Sequence, residues 1–442
     1  MLELLIINAS VVYLGYGLIA AAAGVIAALI LLGLNYYGRL VPAWRLAYGA
    51  FLVVIVLATV WRIIAAMRAN VLQLPEWDFL GFWLYSRAAL AGLDVYAPGA
   101  VGGLAAAFHP TATFSREIID TGFWYPPPTL LLFAPLGVME LRPAYAMWYG
   151  FNAFVIAADI VLSWWIFMPR DRTNLAATAA LFLLLPGTLL TINAGQTNFL
   201  ALGALLLFWV FRDSVAGGAW MAVATIVKPF LAILFVFSLL RRRIAVAAAG
   251  VAVLAALSLA AGAWFGWSNV ASYFHPGRYA MLPAWVYTET TNQSLLATIL
   301  RFRHGEQLAS PPHDAVYTML ALLLFALTCV LMLRLNGSNG EWSLALSILL
   351  SLIVYPTSQM FYSIMLIAPL LLLWKHRSEV PYGTAIVAVV TCLAYALMRS
   401  EVFWATLLLW CLVAAIALAV AVRGEASPVR VRAVSAGGLA GG

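Results

Sequence analysis

A chain of 442 residues, 65% hydrophobic and only 9% charged, is not an ordinary soluble domain, in which about 25% of residues carry charge. No stretch is charged enough to form a separate soluble domain, so the composition describes one polytopic membrane protein whose net charge of +7 matters through its placement. Cys329, Cys392 and Cys411 each fall inside an apolar segment without metal-ligand spacing, which reads as buried structural thiols and no metal site.

A transmembrane helix needs about 20 apolar residues. Segments near 10–34, 46–67, 144–168, 175–191, 196–211, 244–266, 315–335, 342–356, 361–374, 382–398 and 402–422 meet or approach that length. The predicted fold is therefore an all-α helical bundle with about 11–13 membrane helices. The N-terminus is apolar from Leu4, with no basic head and no small-residue cleavage site, and reads as a retained span.

Basic residues orient the spans. Arg39 and Arg45, Arg170 and Arg172, Arg212, Arg241 to Arg243, Arg334, Lys375 with Arg377, and Arg423 with Arg430 and Arg432 all fall between apolar segments. Placing them in the cytoplasm obeys the positive-inside rule. The loops 68–128 and 267–314 and the turns near 357 and 400 then share the outer face.

Residues 216–240 strain this scheme, because a single crossing would carry Arg241 to Arg243 outside. Lys228–Pro229 lies in the middle, and proline breaks a helix while lysine is costly in lipid. Each half is about 12 residues, roughly 18 Å of helix, against a hydrocarbon core of about 30 Å. Two short or re-entrant helices meeting at Lys228 are expected, with one kinked span as the alternative. The apolar run 129–139 is also too short to cross and is expected to lie at the interface or to dip into the membrane. Residues 1–426 read as one transmembrane domain, and 427–442, rich in Ser, Gly and Ala, as a disordered cytoplasmic tail.

Polar residues against this background are the candidates for chemistry. Glu76 and Asp78 follow the second span, and Asp78 sits among Trp77, Phe79 and Phe82, where desolvation raises a carboxyl toward general-base range. Glu76 reads more simply as a helix cap. Arg87 suits bidentate phosphate binding, or else snorkels at the interface; it projects about 180° from Asp78 on an ideal helix. Lys228 could neutralise a phosphate arriving from the bilayer, or pair with Asp159, the other mid-span charge. Gly195–Gln196–Thr197–Asn198 could cap a helix or bind sugar hydroxyls. Asn292–Gln293–Ser294–Leu295, followed by Arg301 and Arg303, occupies the second outer loop, and Tyr355 to Tyr362 returns to the same face. Their aromatic residues serve equally well as an interfacial belt.

Several of these stretches occur together in a known order. Asp78 is followed by Arg-Ala-Ala-Leu-Ala-Gly-Leu-Asp-Val-Tyr (87–96), Tyr-Pro-Pro (125–127), Leu-Leu-Phe-Ala-Pro-Leu (131–136), Gly-Gln-Thr-Asn (195–198), Lys-Pro (228–229) and Asn-Gln-Ser-Leu (292–295). In that order and spacing the chain resembles the C superfamily of integral-membrane glycosyltransferases, specifically glycosyltransferase family 87, over residues 75–365. The resemblance implies an inverting, mannosyltransferase-like enzyme in the cell (plasma or inner) membrane, with its site facing the periplasm or exterior. It would transfer a sugar such as mannose or arabinofuranose from a polyprenyl-phosphate donor to a lipid or glycan acceptor of the envelope. Asp78 would be the general base, and Lys228 and Arg87 would hold the phosphate. Gln196, Asn198, Gln293, Arg301, Tyr125 and Tyr362 complete the expected donor site, which calls for neither cofactor nor metal nor nucleic acid. The histidine that such proteins often carry in the late outer turn is replaced here by Phe361 and Tyr362, and His109 or His275 could stand in for it. The competing reading is a multi-pass transporter or lipid flippase, which would share the mid-membrane lysine and the broken helix but normally shows repeated halves. No such repeat is evident.

Overall fold

The computed structural model describes residues 2–75, 78–97, 99, 101–108, 122–275, 285–304, 314–335, 340–398 and 401–425. Glu76, Trp77, His109 and the tail 427–442 lie outside these residues. The described chain is helical throughout, and its one β-type pairing is an isolated antiparallel bridge between Asn292 and Gln359. The all-α polytopic fold expected from composition is what forms.

Among the described residues six helices are long and apolar enough to cross a membrane: Leu18–Arg39, Pro42–Gln73, Leu141–Phe167, Ile244–Phe265, Ala315–Arg334 and Val402–Ala419. The pair Arg172–Leu184 and Pro186–Ala194, bent by 56° where Pro186 interrupts the hydrogen-bond ladder, is together long and apolar enough for one broken span or a re-entrant loop. Seven further apolar helices are only 10–17 residues long, so the expected eleven to thirteen is reached by counting short elements. Residues 215–240 divide as expected into Val215–Val227 and a second piece that begins as a 3-10 turn at Pro229 and ends at Leu240. Lys228 occupies the extended link between them.

The short helix Pro128–Gly137 packs into the bundle, with seven of its ten residues buried. Phe133 stacks on Phe82 of the helix Asp78–Leu90 at 4.4 Å between ring centroids, and Thr129 donates to the Ile226 carbonyl at 2.9 Å. That bond satisfies a carbonyl near the end of Val215–Val227, next to Lys228, and so ties the first outer loop to the helix break.

The two ends of the bundle differ in charge. At one, Arg243 pairs with Asp213, Arg241 donates to the Leu335 carbonyl at 3.0 Å, and Lys375 and His376 converge on Glu341. The helices Glu341–Val354 and Asn198–Phe211 run from this basic end to the end where the outer-loop residues gather. There Asn269 accepts from the Val95 backbone at 2.9 Å and Tyr273 packs edge-on to Tyr96, joining the two long loops. The cysteines are unpaired but less buried than expected: Cys329 and Cys392 are half-buried and Cys411 is exposed. Thiols on helices whose outer faces meet lipid have no need of a protein core.

Candidate active site

Asp78 is the first residue of the 13-residue helix Asp78–Leu90, where the aligned peptide dipoles favour a negative charge. The helix start is held by its neighbours. Phe79 stacks on Trp148 at 5.7 Å, Tyr145 packs on its edge at 4.5 Å, and the Tyr145 hydroxyl donates to the Pro75 carbonyl at 2.5 Å. Trp148 in turn donates to the Gly195 carbonyl at 2.9 Å. Gly195 closes the helix Pro186–Ala194 in the left-handed region, at φ 65°, and a Cβ there would lie 2.7 Å from the Phe79 Cβ. Only glycine permits both the conformation and the approach. Gly195→Ala is accordingly expected to cost about 1–2 kcal/mol from the backbone alone, lower the melting temperature and reduce activity by separating Gln196 from Asp78. An unchanged melting curve with full activity would show that this contact does not position the site.

Gln196, next in the chain, is the hub. Its Oε1 accepts from the Lys228 ammonium at 2.7 Å and from the Tyr125 hydroxyl at 3.2 Å. Its side chain also lies beside Asp78 and favours the carboxylate there, an influence that falls to the amide nitrogen because the oxygen is already engaged. Lys228 is fully buried. Its Nζ donates to the Tyr125 hydroxyl at 2.8 Å and lies 4.5 Å from the Tyr362 ring centroid, 5.0 Å from that of Tyr125 and 5.9 Å from that of Phe361. An aromatic cage of this kind stabilises a cation out of water. Tyr362 also hydrogen-bonds Tyr125. Asp78 itself is half-buried; burial holds its carboxyl above the ordinary carboxylate range, opposed by the Gln196 side chain and the Lys228 charge.

Five of the sequence-derived residues, Asp78, Tyr125, Gln196, Lys228 and Tyr362, therefore meet in one cluster. Three others frame it. Asn198 donates to the Phe361 carbonyl and the Thr191 hydroxyl at 3.1 Å each, which fixes the turn carrying the cage. Gln293 donates to the Thr290 carbonyl at 2.6 Å, and Arg301 to the carbonyls of Glu289 and Asn292 at 3.0 and 2.6 Å, locking the second outer loop. Arg87 is placed elsewhere. It donates to the carbonyls of Gly137 and Met139 and lies over Trp83, lining an open pocket of about 790 Å³ with Glu140 and Arg142. Neither Asp78 nor Lys228 lines that pocket. The pairing of Lys228 with Asp159 does not form: both Asp159 carboxyl oxygens are buried without a hydrogen-bond partner among the described residues. His275 is exposed at the end of the helix Trp267–Tyr273.

The site also contains residues that sequence reasoning missed. Glu289 is half-buried beside the Thr291 and Gln359 side chains, which favour its carboxylate, and lies close enough to Asp78 to feel its charge. Its only sequence signal was a carboxylate three residues ahead of Asn292 in an otherwise uncharged run.

This cluster joins a base, a caged cation and an amide that bridges them, at the end of a membrane bundle opposite its basic loops. Such an arrangement suits deprotonating a hydroxyl beside a departing anion. Comparison with curated proteins gives no match, and comparison with solved structures gives none. The profile of glycosyltransferase family 87 matches residues 123–356, which include Tyr125, Gln196, Lys228 and Glu289, and the fold brings Asp78, Gln359 and Tyr362 to them from outside the matched segment. With more than half of its length matched, the chain belongs to glycosyltransferase family 87 and is a membrane glycosyltransferase.

Proposed function

We propose that this enzyme transfers a sugar, mannose or arabinofuranose, from a polyprenyl-phosphate donor to a hydroxyl of an envelope glycolipid or glycan, with inversion. The observation that carries the reading is the single amide of Gln196, which accepts from the Lys228 ammonium and lies beside the Asp78 carboxylate. Asp78 takes the proton of the acceptor hydroxyl as its oxygen bonds to the anomeric carbon. The bond from that carbon to the phosphate oxygen breaks on the opposite face, and its electron pair leaves with the polyprenyl phosphate. Positive charge is needed where that anion develops.

Lys228 is placed to supply it. Two of its three ammonium protons have acceptors among the described residues, and the third remains for a phosphate oxygen. Because Tyr125 and Tyr362 cover the ammonium, donor entry displaces an aromatic side chain from it. Glu140, Arg142 and Arg87 lie outside this path, and Arg87 is assigned to outer-surface structure, not to the phosphate. Basic loops at the opposite end of the bundle support a site on the outer face of the cell membrane.

The test is incubation of the purified protein with synthetic polyprenyl-phosphate mannose or polyprenyl-phosphate arabinofuranose and a panel of glycolipid acceptors. Acceptor-dependent release of polyprenyl phosphate is expected. Binding of both lipids without turnover on any acceptor would sink the proposal.

A further inference from the structure

The carboxyl of Glu289 takes no part in the transfer just described, yet the backbone that carries it is firmly held. Its backbone carbonyl accepts from both the Asn292 amide and Arg301, each at 3.0 Å. The loop that carries it pairs with the late outer turn through the Asn292–Gln359 bridge. The Gln293 amide donates to the Ser358 carbonyl at 2.6 Å, and the Met360 amide to the Thr291 carbonyl at 2.7 Å. Immediately after this paired stretch come Phe361 and Tyr362, whose rings cage Lys228. Glu289 and Gln359 are therefore held in register with the Lys228 cage, and Asp78 lies close enough to Glu289 for the two charges to interact.

Two carboxyls and one lysine are more negative charge than the transfer of a sugar from a phosphate requires. A carboxyl with an adjacent amide is, however, well matched to neighbouring sugar hydroxyls, since the carboxyl accepts and the amide both donates and accepts. Burial and then the Asp78 charge raise the Glu289 carboxyl above its ordinary range, against the opposing influence of Thr291 and Gln359, which widens the pH range in which it also donates.

We propose that Glu289, carried on the loop that pairs with the Gln359 turn, is the carboxyl that binds sugar hydroxyls in this site and sets a sugar ring against Asp78. The inference rests on the sugar-transfer reading above and names a positioning and specificity residue within it. The hydroxyls belong either to the donor sugar or to the acceptor, and the two sources separate by experiment.

Full-length protein in lipid nanodiscs is compared as wild type, Glu289→Ala and Glu289→Gln. The probes are whichever of polyprenyl-phosphate mannose and polyprenyl-phosphate arabinofuranose the wild type turns over, and polyprenyl phosphate without a sugar. For a donor contact, Glu289→Ala weakens binding of the sugar-bearing lipid by about tenfold or more, the loss expected of a hydrogen bond to an ionisable group, and leaves the bare lipid unchanged. For an acceptor contact, both lipids bind as in wild type and KM for the acceptor rises by a similar factor. Glu289→Gln, which keeps the shape and most hydrogen bonds, falls between wild type and Glu289→Ala in either case. Equal weakening of both lipids, or donor binding and acceptor KM both within error of wild type, overturns the inference while sugar transfer stands. A wild-type protein that turns over neither lipid overturns the proposed donor and this inference with it.

Discussion

Asp78→Asn is expected to lower the rate of sugar transfer by about 10²–10⁴-fold, the usual contribution of a positioned general base, with membrane insertion and melting behaviour unchanged. Asparagine keeps the size of the side chain and still suits the first position of the helix, so the loss isolates the missing base. The measurement is acceptor-dependent release of polyprenyl phosphate, and turnover near wild type would remove Asp78 from the mechanism. The same residue predicts a pH dependence. A base works only when ionised, so activity is present above the Asp78 pKa and lost as pH falls through it. Burial raises that pKa, with Gln196 and Lys228 pulling the other way, and the acid limb of the profile is expected above the ordinary aspartate value of about 3.9.

Lys228→Met is expected to lower turnover by about 10²–10³-fold, the loss seen when one group that stabilises a developing anion is removed. It should also weaken binding of bare polyprenyl phosphate, because the ammonium is the nearest cation in the cluster. Methionine matches the lysine stem and packs among Tyr125, Phe361 and Tyr362, so the cage survives and the charge does not. Lys228→Arg is not expected to rescue the activity. A planar guanidinium is broader than an ammonium, and the space between Tyr125 and Tyr362 is filled. Lost turnover with undiminished affinity for the lipid phosphate would assign Lys228 to holding Gln196 in place instead.

The candidate residues were legible in the sequence in proportion to how strongly they broke the apolar pattern. Lys228 stood out because an ammonium in the middle of a hydrophobic run needs a reason, and Pro229 beside it marked the helix break that the structure contains. Asp78 stood out because it follows a long apolar helix at its polar end. Arg87 looked equally functional by type, but its register already placed it on the far side of the helix from Asp78. There it finds the carbonyls of Gly137 and Met139. Glu289 was illegible for the opposite reason. A carboxylate in a polar loop is ordinary, and its position depends on pairing with Gln359, on a turn formed much later in the chain.

What the amino-acid sequence determined by itself was therefore the solvent and the class of fold. A chain that is 65% hydrophobic must satisfy its backbone within helices, and its basic residues fall in the breaks between the apolar segments. Family membership also follows from the sequence, since the matched segment covers more than half of it. Only the tertiary structure decided which polar residues act together. Hydrogen bonds between residues distant in the chain have no local signature, and here one of them, from Lys228 to Gln196, joins two short broken helices. Close packing of Gly195 on Phe79 then brings Asp78 to the same amide, and the Asn292–Gln359 bridge carries Glu289 to the opposite side. Periodicity predicts helices because each is set by its own residues, whereas the site exists only where six separate segments meet.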